Sequence, residues 1–290
     1  MTFDASRKRS SIARRLVRDP KITCAGGFIL LLIVLAIAAP WVSPQDPLAQ
    51  DLLKATLPPH GFADAESGYW LGTDGLGRDV LSRVIFGARI SLIVAFVAAG
   101  LACLMGSLLG LLAGFLGGFV DSLISRLVDI WMAFPPILLS MLLVAVFGTG
   151  LHSVIAAIVV IDWTRFCRIV RAETMKQAKL NYVTAAHTVG FGPLTILFRE
   201  ILPNVIPILV TLLTLEMGLA VVIEAILSFV GLSVSSDTPT WGGMISEGRQ
   251  LVHEAWWVLA VPLTALFATV VAFNQLGDGL ARSLDPTTRR

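Results

Sequence analysis

Residues 90–120 read ISLIVAFVAAGLACLMGSLLGLLAGFLGGFV, a run without one charged side chain. A helix of about 20 apolar residues crosses the hydrocarbon layer of a bilayer, so this stretch is long enough to do so alone. Gly106, Gly110, Gly114 and Gly118 recur in it at every fourth position. On a helix that spacing makes one smooth stripe, extended by Ala102, where a second backbone approaches closely. The stretch predicts a membrane-spanning helix with one face on protein, either as ordinary helix packing or as an interface that moves.

Outward from this run the chain keeps the same character. Of its 290 residues 56% are hydrophobic and 14% charged, against about a quarter charged in soluble domains. The polar surface is too small to cover a water-soluble core, and a net charge of +2 gives no footing for a nucleic-acid partner. Further apolar stretches run from Thr23 to Val42, about Leu127 to Phe147, about His152 to Arg168, about Val205 to Phe229 and about Ala255 to Leu276. The expected fold is all-α, with about six transmembrane helices and both termini cytoplasmic. Lys and Arg concentrate on the cytoplasmic side of membrane proteins; this topology puts 17 of them inside and four outside, with Arg89 at a boundary. It divides the chain into a basic cytoplasmic segment (1–22), a first span (23–42), an extracytoplasmic loop (43–86), a five-helix core (87–276) and a cytoplasmic tail (277–290). The basic start and Ala36-Ile37-Ala38 also resemble a cleavable signal peptide, but the length of the apolar run and Pro40 favour a retained span.

Catalytic signals are missing. The pair Gly-Lys does not occur, so there is no P-loop; H-E-x-x-H and G-x-S-x-G are also absent. His60, His152, His187 and His253 are scattered. Cys24, Cys103 and Cys167 lie far apart in apolar surroundings and read as buried small hydrophobes, with no metal site implied. If transport here is ATP-driven, the ATPase is another subunit. Glu216 and Glu224 fall inside the fifth span, about 80° apart on a helix, so both can face a bundle interior. Carboxylates at membrane depth face a cavity or a partner, which makes them pathway or structural candidates together with Asp129. Asp129 and Asp162 are expected near cytoplasmic helix ends, solvated by the interface.

Two loops remain. The outer one carries Gly72, Thr73, Asp74, Gly77, Arg78 and Asp79, a Gly- and Asp-rich turn. It lacks the acidic spacing of a cation loop and reads as a turn into a helix capped by Thr73 or Asp74. The inner connection, residues 171–204, predicts a short helix with Tyr182, Ala185, Ala186 and Val189 on one apolar side, ended by Gly190. A second polar helix is expected from Leu194 to Leu202, closed by Pro203. A short helix outside the bilayer is well placed to meet a cytoplasmic protein.

These residues carry a resemblance. Leu71 to Asp79 with Ser82-Arg83, Ala133-Phe134-Pro135, Tyr182 to Ala186 with Gly190 and Leu202-Pro203-Asn204, and Glu224 to Leu232 with Trp241-Gly242 are similar to motifs of one family. It is the inner-membrane permeases of ATP-binding-cassette importers, in the dipeptide/oligopeptide/nickel group and of its second-permease type. The resemblance covers about Pro40 to Pro286. It implies the type I importer fold and a multi-pass protein of the bacterial cytoplasmic membrane, surrounded by lipid. It implies a non-catalytic subunit forming half of a pathway for di- or oligopeptides, or for nickel, glutathione or another small solute. Its partners would be a sister permease, two ATP-binding subunits that hold ATP and Mg, and an extracytoplasmic solute-binding protein; this chain would hold no cofactor. Tyr182, Thr184, Ala185, Ala186, Gly190, Leu202 and Pro203 would then belong to a coupling segment that docks on the ATPase. Thr184 stands where the family usually has Glu; it can still cap a helix but cannot make a charged contact. The alternatives outside this class are a proton-coupled carrier using Glu216 and Glu224, and a membrane scaffold.

Overall fold

The computed structural model of the protein describes residues 20–234 and 238–284. The basic segment before Pro20 and residues 285–290 lie outside the described residues. Among the described residues the chain is built from helices: α1 Pro20–Val42, α2 Val80–Leu116, α3 Gly118–Met132, α4 Pro136–Phe147, α5 Leu151–Ala178, α6 Asn181–Thr188, α7 Pro193–Phe229, α8 Trp241–Gln250 and α9 Trp256–Leu284. Helices α1, α2, α7 and α9 are each long and apolar enough to cross a membrane, and α3 with α4 makes a fifth candidate span bent by 89°. Helix α5 has the length, about 42 Å at 1.5 Å per residue, but carries Asp162, Arg165 and Arg168.

Several expected boundaries move, each for a local reason. The apolar run does not continue to Val120: Gly117 and Gly118 both have positive φ, +67° and +55°, a conformation that glycine adopts without strain, and the chain turns there. Helix α2 instead starts well before the run, at Val80, because Asp79 caps it. The third span is broken, because Pro135 and Pro136 have no N–H to continue the ladder from α3; Pro136 starts α4. The fourth helix does not stop at Arg168. No Gly or Pro interrupts residues 151–189, and α5 runs to Ala178. The expected tail from 277 is helical to Leu284, as the end of α9. The polar helix closed by Pro203 is also corrected. Residues Ile196–Ile201 form a π turn whose Leu202 N–H reaches back to Leu197 O, so Pro203 falls in the first turn of the following α-helical stretch, where its missing donor costs little. The chain then continues to Phe229 without a stop.

The glycine stripe joins α2 to α5. A Cβ on Gly110 would stand 2.6 Å from Cys167 O, one on Gly114 2.7 Å from Arg171 O, and one on Gly106 would collide with Trp163 O. Backbone therefore lies against backbone over three successive turns. Gly118 takes no part, since nothing approaches its Cβ position. Ala88, Leu92, Ala95 and Ala99 of α2 meet Ala25, Ile29, Leu32 and Ala36 of α1 and Ala272 and Phe273 of α9 in one apolar cluster. Val94 and Ala98 join Val154, Ala157 and Ile158 of α5 and Ala220 and Ile223 of α7 in a second. Leu138, Leu142 and Val146 of α4 and Leu30, Val34 and Ile37 of α1 are exposed, as a lipid- or partner-facing surface requires. Cys167 is buried as expected, but Cys24 is exposed on α1.

Candidate functional site

The inner candidate is α6 with the turn after it. Val183 and Ala186 are its buried residues, packed with Ile196, Leu197, Ile201 and Val205 of α7 and with Leu111 and Val170. The helix ends in two reverse hydrogen bonds: Gly190 N–H donates to His187 O at 3.0 Å and Phe191 N–H to Ala186 O at 3.1 Å. This pattern needs a left-handed residue at Gly190, whose φ is +92°. The expected apolar side is thus rotated. Ala186 faces inward with Val183, and Ala185 faces out with Thr184. Thr184 caps nothing; it sits inside α6, whose flanking residue Leu180 makes no side-chain cap. Tyr182 is half-buried: its hydroxyl donates to Gln177 Oε1 at 2.9 Å and accepts from Asn204 Nδ2 at 3.5 Å. Leu202 is half-buried and Pro203 exposed beside them. Around the outward side of α6, Val189, Phe191, Leu194 and Phe198 are exposed. Thr184, Ala185 and Gly190 are exposed with Asn181, His187 and Thr188 on a mixed surface that the described chain leaves open.

The outer candidate is a knot. Thr73 Oγ1 donates to Lys54 O at 2.5 Å and accepts from Leu57 N–H at 2.8 Å, while Trp257 Nε1 donates to Thr73 O at 3.1 Å. Asp74 accepts from Leu76 N–H, Arg78 N–H and Arg78 Nε with its two oxygens, and it is 1% exposed. Arg83 also pairs with Asp74. Both arginines then reach Glu247 of α8, at 2.8 Å from Arg78 and 2.7 Å from Arg83. Gly72 and Gly77 take positive φ, +76° and +74°, and a Cβ on either would strike Leu57 O or Asp51 O. Asp79, not Thr73 or Asp74, caps α2 through Ser82 N–H at 2.8 Å and Ser82 Oγ at 2.6 Å. Burial pushes the Asp79 carboxyl above the usual carboxylate range, and the hydrogen bonds from Ser82 pull it back. The sequence reading missed Glu247 and the whole of α8, which is capped by Thr240 Oγ1 on Gly243 N–H at 3.1 Å. The Thr240-to-Gly243 spacing was the available signal.

The polar residues at membrane depth separate. Glu224 is fully buried and accepts from Ser228 at 2.6 Å, Ser233 at 3.3 Å and Ser91 at 3.5 Å, so it fastens α7 to α2 and to the segment after α7. Glu216 is 6% exposed and meets Arg165 of α5. Asp129 is exposed on α3, away from the interior. Asp162 is not at a solvated helix end, because α5 continues past it; it is 1% exposed. Among the described residues no cluster of His, Cys, Asp or Glu could hold a metal.

Long apolar helices packed into a bundle, with one short helix held beside it and exposed along one side, make a membrane-embedded architecture. The chain belongs to the family described as binding-protein-dependent transport system inner membrane component, which matches residues 106–290. Residues 10–59 match the N-terminal TM domain of oligopeptide transport permease C. A di/tripeptide transport system permease protein of Pseudomonas aeruginosa is 40% identical over 89% of this chain and 86% of its own. A glutathione transport system permease protein of Salmonella paratyphi A is 41% identical over 94% and 88%. Among solved structures, the inward-facing MetNI methionine ABC transporter aligns with a TM-score of 0.58 at 21% identity over 70% of this chain and 96% of that one. An amino acid ABC transporter aligns at 0.55 and 16%, over 70% and 95%. The protein is a multi-pass inner-membrane permease of the ABC importer class with the type I fold. That membership sets aside the proton-coupled carrier and the scaffold.

Proposed function

We propose that the chain forms half of a pathway that imports di- or oligopeptides, beside a homologous sister permease, two ATP-binding subunits and an extracytoplasmic solute-binding protein. The names of its relatives support the substrate class: one handles di- and tripeptides and another glutathione, itself a tripeptide. Glutathione is the second reading for the same reason. In this reading α5 is the sixth span, both termini are cytoplasmic, and residues 171–204 project inward. No covalent chemistry occurs on this chain; ATP and Mg belong to the partner subunits.

The observation that carries the reading is the open side of α6 at Thr184 and Ala185, continued by the exposed Val189, Phe191 and Leu194 and presented by a helix that is backed by an apolar cluster and capped at Gly190. Such a helix transmits the push of a nucleotide-driven partner to α5 and α7, which it joins, and the bundle alternates between outward and inward access. The test is reconstitution with the neighbouring ATPase, permease and binding-protein subunits. The permease co-purifies with the ATPase and supports ATP-dependent uptake of labelled dialanine or glutathione. A complex that forms without the residues 181–191 surface being protected from labelling sinks the docking claim, and uptake of neither solute sinks the substrate claim.

A further inference from the structure

Arg165 is in an unusual position for an arginine. It stands about 21 Å along α5 from Leu151, and Glu216 about 20 Å along α7 from Phe229, so both lie deep within a hydrocarbon layer of about 30 Å. The Arg165 side chain is nevertheless 36% exposed, while that of Glu216 is 7% exposed. A guanidinium at this depth is expensive against lipid, so its exposed side faces protein or a watered pathway. Its hold on Glu216 is loose. Nη1 alone reaches the two carboxylate oxygens, at 3.4 and 3.3 Å, where charge-assisted pairs settle at about 2.7–2.9 Å. Nε and Nη2 have no partner among the described residues. Asp162, one turn earlier on α5, is near enough to feel both charges, and its buried Oδ1 finds no partner among the described residues.

We infer that Arg165 is a carboxylate-reading residue of the translocation pathway, with Glu216 and Asp162 as positioning residues. The inference rests on the proposed peptide-import function and names the part of the solute that this chain recognises. The free edge of the guanidinium suits the two oxygens of a peptide's terminal carboxylate. Two carboxylates competing for the same guanidinium keep its grip on a passing solute brief, which a conduit needs as much as it needs binding. The contrast with the outer arginines is direct: Arg78 is bound at 2.7 and 2.8 Å and only 9% exposed, so it has no free edge to offer.

The test uses the complete importer in proteoliposomes with saturating binding protein, and two probes, labelled dialanine and its C-terminal amide. Arg165→Gln lowers dialanine moved per ATP hydrolysed by at least about tenfold, the scale of one charge-assisted hydrogen bond, and the preference for dialanine over the amide collapses. Arg165→Lys restores part of both. Unchanged dialanine transport in Arg165→Gln overturns the inference, as does an equal fall for both probes or loss of assembly, which would make Arg165 a strut against the partner chain. A wild-type importer that moves neither dialanine nor glutathione overturns the peptide reading itself; the inference fails separately when the wild type transports and the variant matches it.

Discussion

At the outer face, Asp74, Arg78, Arg83 and Glu247 share their charges among themselves, and three of the four are nearly removed from solvent. At the inner face, α6 is held by Val183, Ala186 and the Gly190 cap, and its other side is left open, beside the exposed Val189, Phe191 and Leu194 that follow it. The outer turn spends its specificity within the chain: it fixes a long loop to α8 and caps α2. The inner helix keeps its specificity for something else. A signature motif therefore need not mark a contact surface. Interior satisfaction marks a lock, and an ordered element with an open face is where a dock is to be tested.

Breaking the lock has the largest expected effect. Arg83→Ala removes one of the two arginines that neutralise Asp74, which is 1% exposed, and leaves it with Arg78. A buried charge left wholly alone costs about 3–5 kcal/mol, and the remaining Arg78 holds the loss near the low end of that range. The variant loses most of its detergent-solubilised folded protein in a thermal-unfolding or size-exclusion assay. A melting profile equal to the wild type would show that the outer network is ornamental. Gly110→Val comes next. Its new side chain starts 2.6 Å from Cys167 O, and overpacking of a close contact costs about 1–3 kcal/mol. Gly118→Val, which meets nothing, pays only for its φ of +55°, about 1–2 kcal/mol. A larger loss for Gly118→Val than for Gly110→Val would contradict the division between packing and turning glycines.

Much of this was legible from the residues. The apolar runs located the four helices long and apolar enough to span, α1, α2, α7 and α9, and the fourfold glycine spacing located the α2–α5 contact. Gly118 has the same spacing as its three predecessors, but Gly117 before it turns the chain, and periodicity alone does not see a turn. Pro135-Pro136 announced the break between α3 and α4, which an average over apolar residues smoothed away. Glu247 was invisible because its partners are 164 and 169 residues distant, and no local pattern points across that separation. Charge patterning placed Arg165 on the cytoplasmic side, near the end of a span; α5 instead runs on past it to Ala178. At α6 the expected apolar side held Ala186 and the half-buried Tyr182 but omitted the buried Val183 and included the exposed Ala185 and Val189, since an eight-residue helix gives periodicity too few turns to fix a face.

The choice between Ala185 and Ala186 sharpens the comparison at its inner end. Ala186 is 8% exposed and touches the cluster beneath α6, so Ala186→Trp unseats the helix, at about 1–3 kcal/mol for overpacking, and its loss of uptake comes with a loss of stability. Ala185→Trp has the smallest expected effect on the fold, within about 0.5 kcal/mol as for exposed substitutions generally. It adds an indole to the surface that the chain leaves open. If the surface is a dock, this variant melts like the wild type, yet co-purifies poorly with the ATPase and loses ATP-driven uptake. The pair separates a helix that matters for folding from one that matters for docking, because only the outward residue divides the two readouts. Retention of the ATPase and of uptake by Ala185→Trp, with both lost in Ala186→Trp, would reverse the comparison and make α6 a cap on the bundle.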